Sequence, residues 1–514
     1  MYDIYFKNIS VIDGTGAPAF TADVAVEQGK LVLSPANRDS AETIDGTGLT
    51  LCPGFIDAHS HGDSVFGTEV GRLCKTSQGI TTELTGQCGS SRFPVLNAAD
   101  ATGITPPCAT MEEYLRFVNS RALTANCKVM VGHKALRIAA MGYDDREPTA
   151  GELEHMKAML REAMEHGCAG MSSGLIYPPS AYATEDEMVE LCKIVAEFDG
   201  IYATHMRNEA SQILKSVAES ISVAERSGCR LDISHHKVCG KENWGLSVQT
   251  LRMIHEAIGR GVRVTMDVYP YTASSTGLNV CLPSHFFSHG PKKMYELLRD
   301  SEIRKQLKKE MEETDGRYRH CGFDKILMTT MPMTPAAANK TVAEYAAEVG
   351  KDPFEAYFDL VAENGGAAQA IYFSMCEEDL QRIMLDENAV VGTDGVATSL
   401  TEPTHPRSFA SFPKAIRYFV REKKLLTLEQ MIHKMTQLPA QRLLVPNKGV
   451  IATGFDADLV LFKADEITDR ATYTDSLSLC DGIERVIVGG VTVYKDKQLT
   501  GSAPGKFIPH PGKQ

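Results

Sequence analysis

Eight short apolar runs, each followed by a stretch of helical character, constrain this chain more than any other feature. The runs are Leu51–His61, Ile80–Cys88, Lys128–His133, Ala169–Tyr177, Ile201–Arg207, Arg230–His236, Val262–Tyr271 and Ala389–Gly395. Strands that alternate with helices pair in parallel, because each crossover helix returns the chain to the same end of the sheet. Eight parallel strands close on themselves, so the pattern predicts an α/β chain built on a (β/α)8 TIM-like barrel. Two helix starts are marked between the runs. Thr149-x-x-Glu152 and Thr184-x-x-Glu187 read as capping boxes, in which a hydroxyl and a carboxylate satisfy backbone donors reciprocally.

The 514 residues leave room for attachments to such a barrel. Residues 1–50 read as short β segments punctuated by Asp13-Gly14-Thr15-Gly16 and Asp45-Gly46-Thr47-Gly48. Near the other end, Asp456–Phe462 and Ile483–Gly490 are strand-like runs bounded by glycine. Neither end has enough strands to bury a core alone, so residues 1–52 and 441–514 are expected to form one composite β-sandwich. The barrel then spans 53–440. Residues 283–345 break its rhythm before the last strand, with a charged helix near Lys293–Thr314, and read as an inserted lid or subdomain, or else an elongated loop.

Composition excludes several classes. A formal net charge of -13 without a long basic run opposes binding to nucleic acid. The start, Met1-Tyr2-Asp3-Ile4-Tyr5, lacks the basic and apolar segments of a signal peptide, and no window is apolar for the length of a membrane span. The 13 cysteines are odd in number and form no CxxC pair, which favours reduced thiols and a cytoplasmic location over a disulfide framework. The partner this leaves is a small-molecule substrate.

In a barrel of this kind the C-terminal strand ends converge on one mouth, so polar residues there carry information. The first run ends Asp57-Ala58-His59-Ser60-His61, where a period of two points both imidazoles to one face as a ready metal clamp. The second ends Thr85-Gly86-Gln87-Cys88-Gly89, offering a thiol that suits zinc beside imidazoles. The fifth supplies His205. The sixth supplies His235 or His236, of which only one can face inward, and His235 is the choice made from sequence. The eighth ends Val391-Gly392-Thr393-Asp394-Gly395, a carboxylate suited to general base and then general acid work beside a metal-activated water.

Read together, these runs resemble the amidohydrolase superfamily, and within it the N-acyl-D-amino-acid deacylase (D-aminoacylase) family. The resemblance rests on Gly54–His61, Gly132-His133-Lys134-Ala135-Leu136-Arg137, Ser173–Pro179, Ser234-His235-His236-Lys237, Gly392–Gly395, His405-Pro406-Arg407, Gly454–Val460 and Thr500–Lys506. It implies a tightly held zinc on Cys88, His205 and His235, and a second, weaker metal position at His59 and His61. It implies that Asp394 is the catalytic acid/base beside the metals. Lys237, Arg407, Tyr177 and a tyrosine of Tyr269-Pro270-Tyr271, taken as Tyr271, match positions that hold the substrate's carboxylate and acyl carbonyl, and His133 is counted with them. The implied reaction is zinc-dependent hydrolysis of N-acyl-D-amino acids.

Two departures stand out. The fourth run, Ala169–Gly174, lacks the lysine that bridges two metals in many amidohydrolases, so Cys88 would take that role. The second run is unusually polar, and Glu83 and Gln87 are expected to reshape the pocket floor. The rival expectations are a cyclic-amide hydrolase of the hydantoinase or dihydroorotase type, which the missing lysine disfavours, and a non-catalytic scaffold, which the full ligand set disfavours.

Overall fold

The computed structural model describes residues 1–97 and 104–512. Its architecture is mixed α/β around parallel sheet. Three parallel strands, Phe55–Asp57, Ile80–Thr85 and Asn126–Val129, pair in that order. The third continues into Val131–Gly132, which opens a second parallel set through Gly170–Gly174, Ile201–His205, Arg230–Ile233, Val264–Val268 and Ala389–Val391. Met130 N donates to Thr85 O across the junction at 2.9 Å. The last strand is bonded back to the first: Asp394 N donates to His59 O at 2.8 Å and His61 N to Gly395 O at 3.3 Å. Asp57 reinforces this seam, accepting from Thr393 N at 2.8 Å and from the buried Lys75 Nζ at 2.8 Å.

Nearly every residue in these strands is buried, as parallel strands covered by crossover helices must be. The helices follow the marked starts, with one difference. Thr149 and Glu152 form a complete capping box on Ala150–Glu165. Thr184 caps Glu185–Glu197, but Glu187 does not return the bond, because its carboxylate is drawn to His133 and Arg137.

The run Leu51–His61 serves two sheets. Thr50–Pro53 pairs with Leu459–Phe462, joining both ends of the chain in one nine-stranded sheet that also takes in Tyr2–Val11 and Ile483–Val488. Strands flanking the expected insertion at 283–345 form one sheet with a strand inside it. A three-stranded antiparallel sheet of Ser274–Gly277, Ile326–Met328 and Gln369–Tyr372 carries its own core, from Leu278 to Tyr372. Its strands are three or four residues long and partly polar, which hid them in the sequence. Among the described residues no helix is long and apolar enough to cross a membrane.

Candidate metal and substrate site

The C-terminal ends of the strands bring two sets of donor atoms together. One is Cys88, His205 and His235, and the other is His59, His61, Cys88 and Asp394, each with ligand atoms within 4.8 Å of one another. Cys88 belongs to both. Its Sγ lies 3.3 Å from His235 Nε2 and 3.4 Å from His59 Nε2. Asp394 Oδ1 lies 3.1 Å from His61 Nε2 and 3.5 Å from His59 Nε2. His236 points the other way and meets Thr250 Oγ1 at 2.8 Å, so of the two adjacent imidazoles it is His235 that enters the cluster.

The backbone turns sharply to present these groups. Cys88, His235 and Asp394 all adopt positive φ, at 54°, 37° and 48°. Such conformations cost a non-glycine residue about 1–3 kcal/mol and collect at functional sites. Before Cys88, Gly86 must be glycine: its φ is 76°, and a Cβ there would sit 2.1 Å from Met130 O.

The donor set fits zinc, which takes thiolate and imidazole ligands. His205 is buried, and neither ring nitrogen has a hydrogen-bond partner. Glu209 Oε2, 3.5 Å from His205 Nε2, is likewise unbonded. An orphaned buried imidazole costs free energy that a bound cation would offset. Burial lowers the pKa of His59 to about 3, and lowers those of His205 and His235, so their lone pairs are free for a metal. Burial, seconded by Asp394, pushes the Cys88 thiol well up, and a neighbouring cation would be what makes it a thiolate. Burial alone would raise the Asp394 carboxyl, but Arg407 and then His235 hold it well below the usual range.

Two carboxylates missed in the sequence stand behind the cluster. Asp267 Oδ2 lies 2.9 Å from His59 Nδ1, and Glu209 Oε1 lies 3.2 Å from His235 Nδ1. Contacts of this kind fix ring orientation and tautomer in metal sites. Asp267 had a signal: a carboxylate inside the buried run Val264–Val268, one pleat before Tyr269.

The expected substrate-binding residues divide. Lys237 Nζ pairs with Glu209 Oε1 at 2.5 Å, and Arg407 Nη1 with Asp394 Oδ2 at 2.7 Å. Arg407 Nη2 donates to Ser275 O at 3.1 Å, while its Nε is buried without a hydrogen-bond partner. The Tyr177 ring stands edge-on to His205, 4.9 Å between centroids. Tyr271 has other neighbours. After Pro270 the chain leaves the strand, and the Tyr271 ring packs on His405 and Tyr473 with Lys414 Nζ 4.6 Å from its centre. Tyr269 is the one facing the site, with Arg407 4.9 Å and Lys237 5.8 Å from its ring centre. His133 is buried and already bonded. Its nitrogens are engaged by Ser180 Oγ at 2.9 Å and Glu187 Oε1 at 2.8 Å, leaving none for a substrate. Glu83 accepts from Ser60 Oγ, and Gln87 Nε2 donates to Ala58 O while its Oε1 is buried without a partner.

The sequence profile described as Amidohydrolase family matches residues 42–494. N-acyl-D-aspartate deacylase of Alcaligenes xylosoxydans xylosoxydans is 34% identical over 98% of this chain and 95% of its own length. D-aminoacylase of the same organism is 32% identical over 99% and 97%. The solved structure of N-acyl-D-glutamate deacylase from Bordetella bronchiseptica, complexed with zinc and a phosphonate that mimics the tetrahedral intermediate, superposes with a TM-score of 0.85 at 33% identity, covering 99% of both chains. The chain therefore belongs to the amidohydrolase family, in its N-acyl-D-amino-acid deacylase branch.

Proposed function

We propose that this protein is a zinc-dependent deacylase that hydrolyses the amide bond of N-acyl-D-amino acids to a carboxylate and a free amino acid. The observation that carries the reading is the pair of ligand clusters sharing Cys88, at the strand ends where this family does its chemistry. Cys88, His205 and His235 would hold the tighter zinc, and His59 and His61, with Cys88 and Asp394, the weaker one. Bound zinc supplies Lewis acidity and lowers the pKa of a coordinated water to about 7.

The chain's own residues do the rest. Asp394 accepts a proton from the water that adds to the amide carbonyl, and delivers it to the nitrogen as the C–N bond breaks. Its pairing with Arg407 keeps it ionised and ready to accept. The Tyr177 hydroxyl donates its one proton to Thr276 Oγ1 at 3.2 Å, and would turn it to the carbonyl oxygen as charge develops there. The unpartnered Arg407 Nε, with Lys237, receives the substrate's α-carboxylate beside the face of Tyr269. D-configuration is carried over from relatives that are 32–34% identical.

The eight bonded strands support a (β/α)8 barrel with a composite β-sandwich from residues 1–52 and 441–514 and an inserted unit at about 274–372. Thirteen free, buried thiols favour a reducing, cytoplasmic setting. The reading is tested by counting metal in the purified protein and assaying N-acetyl-D- against N-acetyl-L-amino acids on the same sample. Zinc of about one per chain with D-selective release of amino acid is expected. A zinc-loaded protein that cleaves no N-acyl-D-amino acid would overturn it.

A further inference from the structure

The turn that carries Arg407 is bonded twice to the chain around the start of the strand Ser274–Gly277. The Arg407 side chain makes one of these bonds, donating from Nη2 to Ser275 O at 3.1 Å. His405 makes the other. Its Nε2 donates to Ala273 O at 3.0 Å, while its Nδ1 accepts from Arg407 N at 3.0 Å. A carbonyl can only accept and an amide N–H can only donate, so the two partners fix the ring as the Nε2–H tautomer. Burial, seconded by Arg407, lowers its pKa well below the usual imidazole range and keeps it neutral.

The sequence leaves that imidazole a specific place to act. Pro406 has no N–H to donate, and Arg407 opens the helix Arg407–Ala415, whose first donors have no partner within the helix. The His405 ring takes the Arg407 N–H. The ring is itself caged: Tyr271 and Tyr473 stand edge-on to it, at 5.0 and 5.3 Å between centroids, and Tyr269 lies at 6.4 Å. One residue earlier, Thr404 N donates to Ser476 Oγ at 2.9 Å. Tyr473 and Ser476 come from the C-terminal stretch of the chain, so the buried ring is fixed by parts of the protein that lie outside the parallel strands.

Arg407 has two tasks, and both depend on where its backbone starts. Its Nη1 pairs with Asp394 Oδ2 at 2.7 Å, and its unbonded Nε is the donor assigned to the α-carboxylate. The guanidinium is a rigid planar fork, so one placement must serve both partners at once. We infer that His405 is the positioning residue for Arg407: a neutral imidazole that ties the Arg407 backbone to Ala273 O and so sets the point from which the guanidinium meets Asp394 and the substrate. The inference rests on the deacylase reading and on the role that reading gives Arg407. It also gives the aromatic cage a purpose, since the cage holds the ring that holds the arginine.

The competing role for His405 is a helix cap that serves stability alone. The two separate in a double-mutant cycle, because a residue that acts through Arg407 loses its effect once Arg407 is gone. We would measure kcat and KM for the zinc-loaded wild type, His405→Asn, Arg407→Ala and the double variant, on whichever of N-acetyl-D-aspartate, N-acetyl-D-glutamate and N-acetyl-D-leucine the wild type cleaves fastest. Asparagine can still accept from the N–H two residues on, but is too short to reach Ala273 O. His405→Asn should lower kcat/KM by about 10- to 100-fold, chiefly through KM, as a misplaced binding group does. With Arg407 already alanine, the same change should cost less than about twofold. His405→Gln, whose amide can replace the Nε2 donor, should lose only about two- to fivefold and again only beside Arg407, and it carries the cycle should His405→Asn not fold. Equal losses with and without Arg407, or a His405→Asn enzyme as active as wild type, would overturn the assignment while leaving the deacylase intact. A wild type that hydrolyses none of the three would remove the deacylase reading and this inference with it.

Discussion

Asp394→Asn isolates the proton-transfer role from metal binding. In the wild type Asp394 contacts Arg407 through Oδ2 at 2.7 Å and His61 through Oδ1 at 3.1 Å. Arg407 and His235 hold its carboxyl well below the usual carboxylate range against the pull of burial, so it is ionised throughout the neutral region. Asparagine preserves the shape and cannot take the proton. Loss of a general acid/base costs about 10²- to 10⁴-fold in turnover, or about 3–5 kcal/mol of activation free energy. The substitution also leaves the buried Arg407 without its anion, which adds to the loss. Cys88, His205 and His235 form a ligand set without Asp394, so about one zinc per chain should remain. The assay is kcat on an N-acetyl-D-amino acid with zinc counted on the same preparation. Turnover within about threefold of wild type would remove Asp394 from proton transfer, since that is far below the loss expected. Zinc lost in step with activity would refute the separation of roles.

Three further outcomes are expected. Arg407→Ala should lower kcat/KM by about 30-fold or more, chiefly through KM, as truncation of a buried charge partner does, and an unchanged KM would remove it from carboxylate binding. Asp267→Asn should weaken metal binding at the second, weaker position by about 10- to 100-fold in a zinc titration while the tighter zinc stays, because Asp267 orients the His59 ring at 2.9 Å, and unchanged affinity at that second position would reject that function. Lys128→Met concerns stability alone. Burial lowers the Lys128 amine from 10.5 to about 8, so the folded state gives up its proton more readily than the unfolded chain. The cost is full below about pH 8 and vanishes as pH rises past 10.5, so this lysine makes stability climb across that window. Lys128→Met should therefore stabilise the protein at pH 7 by about 2–3 kcal/mol, less what is lost with the bond to Leu444 O, and flatten the climb. Denaturant melts at pH 7 and pH 10 test this, and a variant less stable at both would contradict it.

The clustered donors were readable because a parallel strand buried on both faces seldom ends in imidazole, thiol or carboxylate without a polar partner for it. Cys88, His205, His235 and Asp394 stand where a buried strand ends and the chain leaves the core, and all four fall in the two donor groups that share Cys88. His133 also ends a run, yet its ring meets Glu187 in the helix layer, because a strand-end histidine turns that way when a carboxylate waits there. Sequence position also failed to choose between Tyr269 and Tyr271, since period two holds only while the strand lasts and Pro270 ends it. Asp267 and Glu209 were overlooked for a different reason. Each contacts a ligand by a route that crosses elements, from the seventh strand to the first and from the loop after the fifth strand to the sixth. Such contacts exist only once the ring of strands has closed. The donors proposed to hold the metals were therefore visible one strand at a time, whereas the carboxylates behind them depend on which strand end faces which.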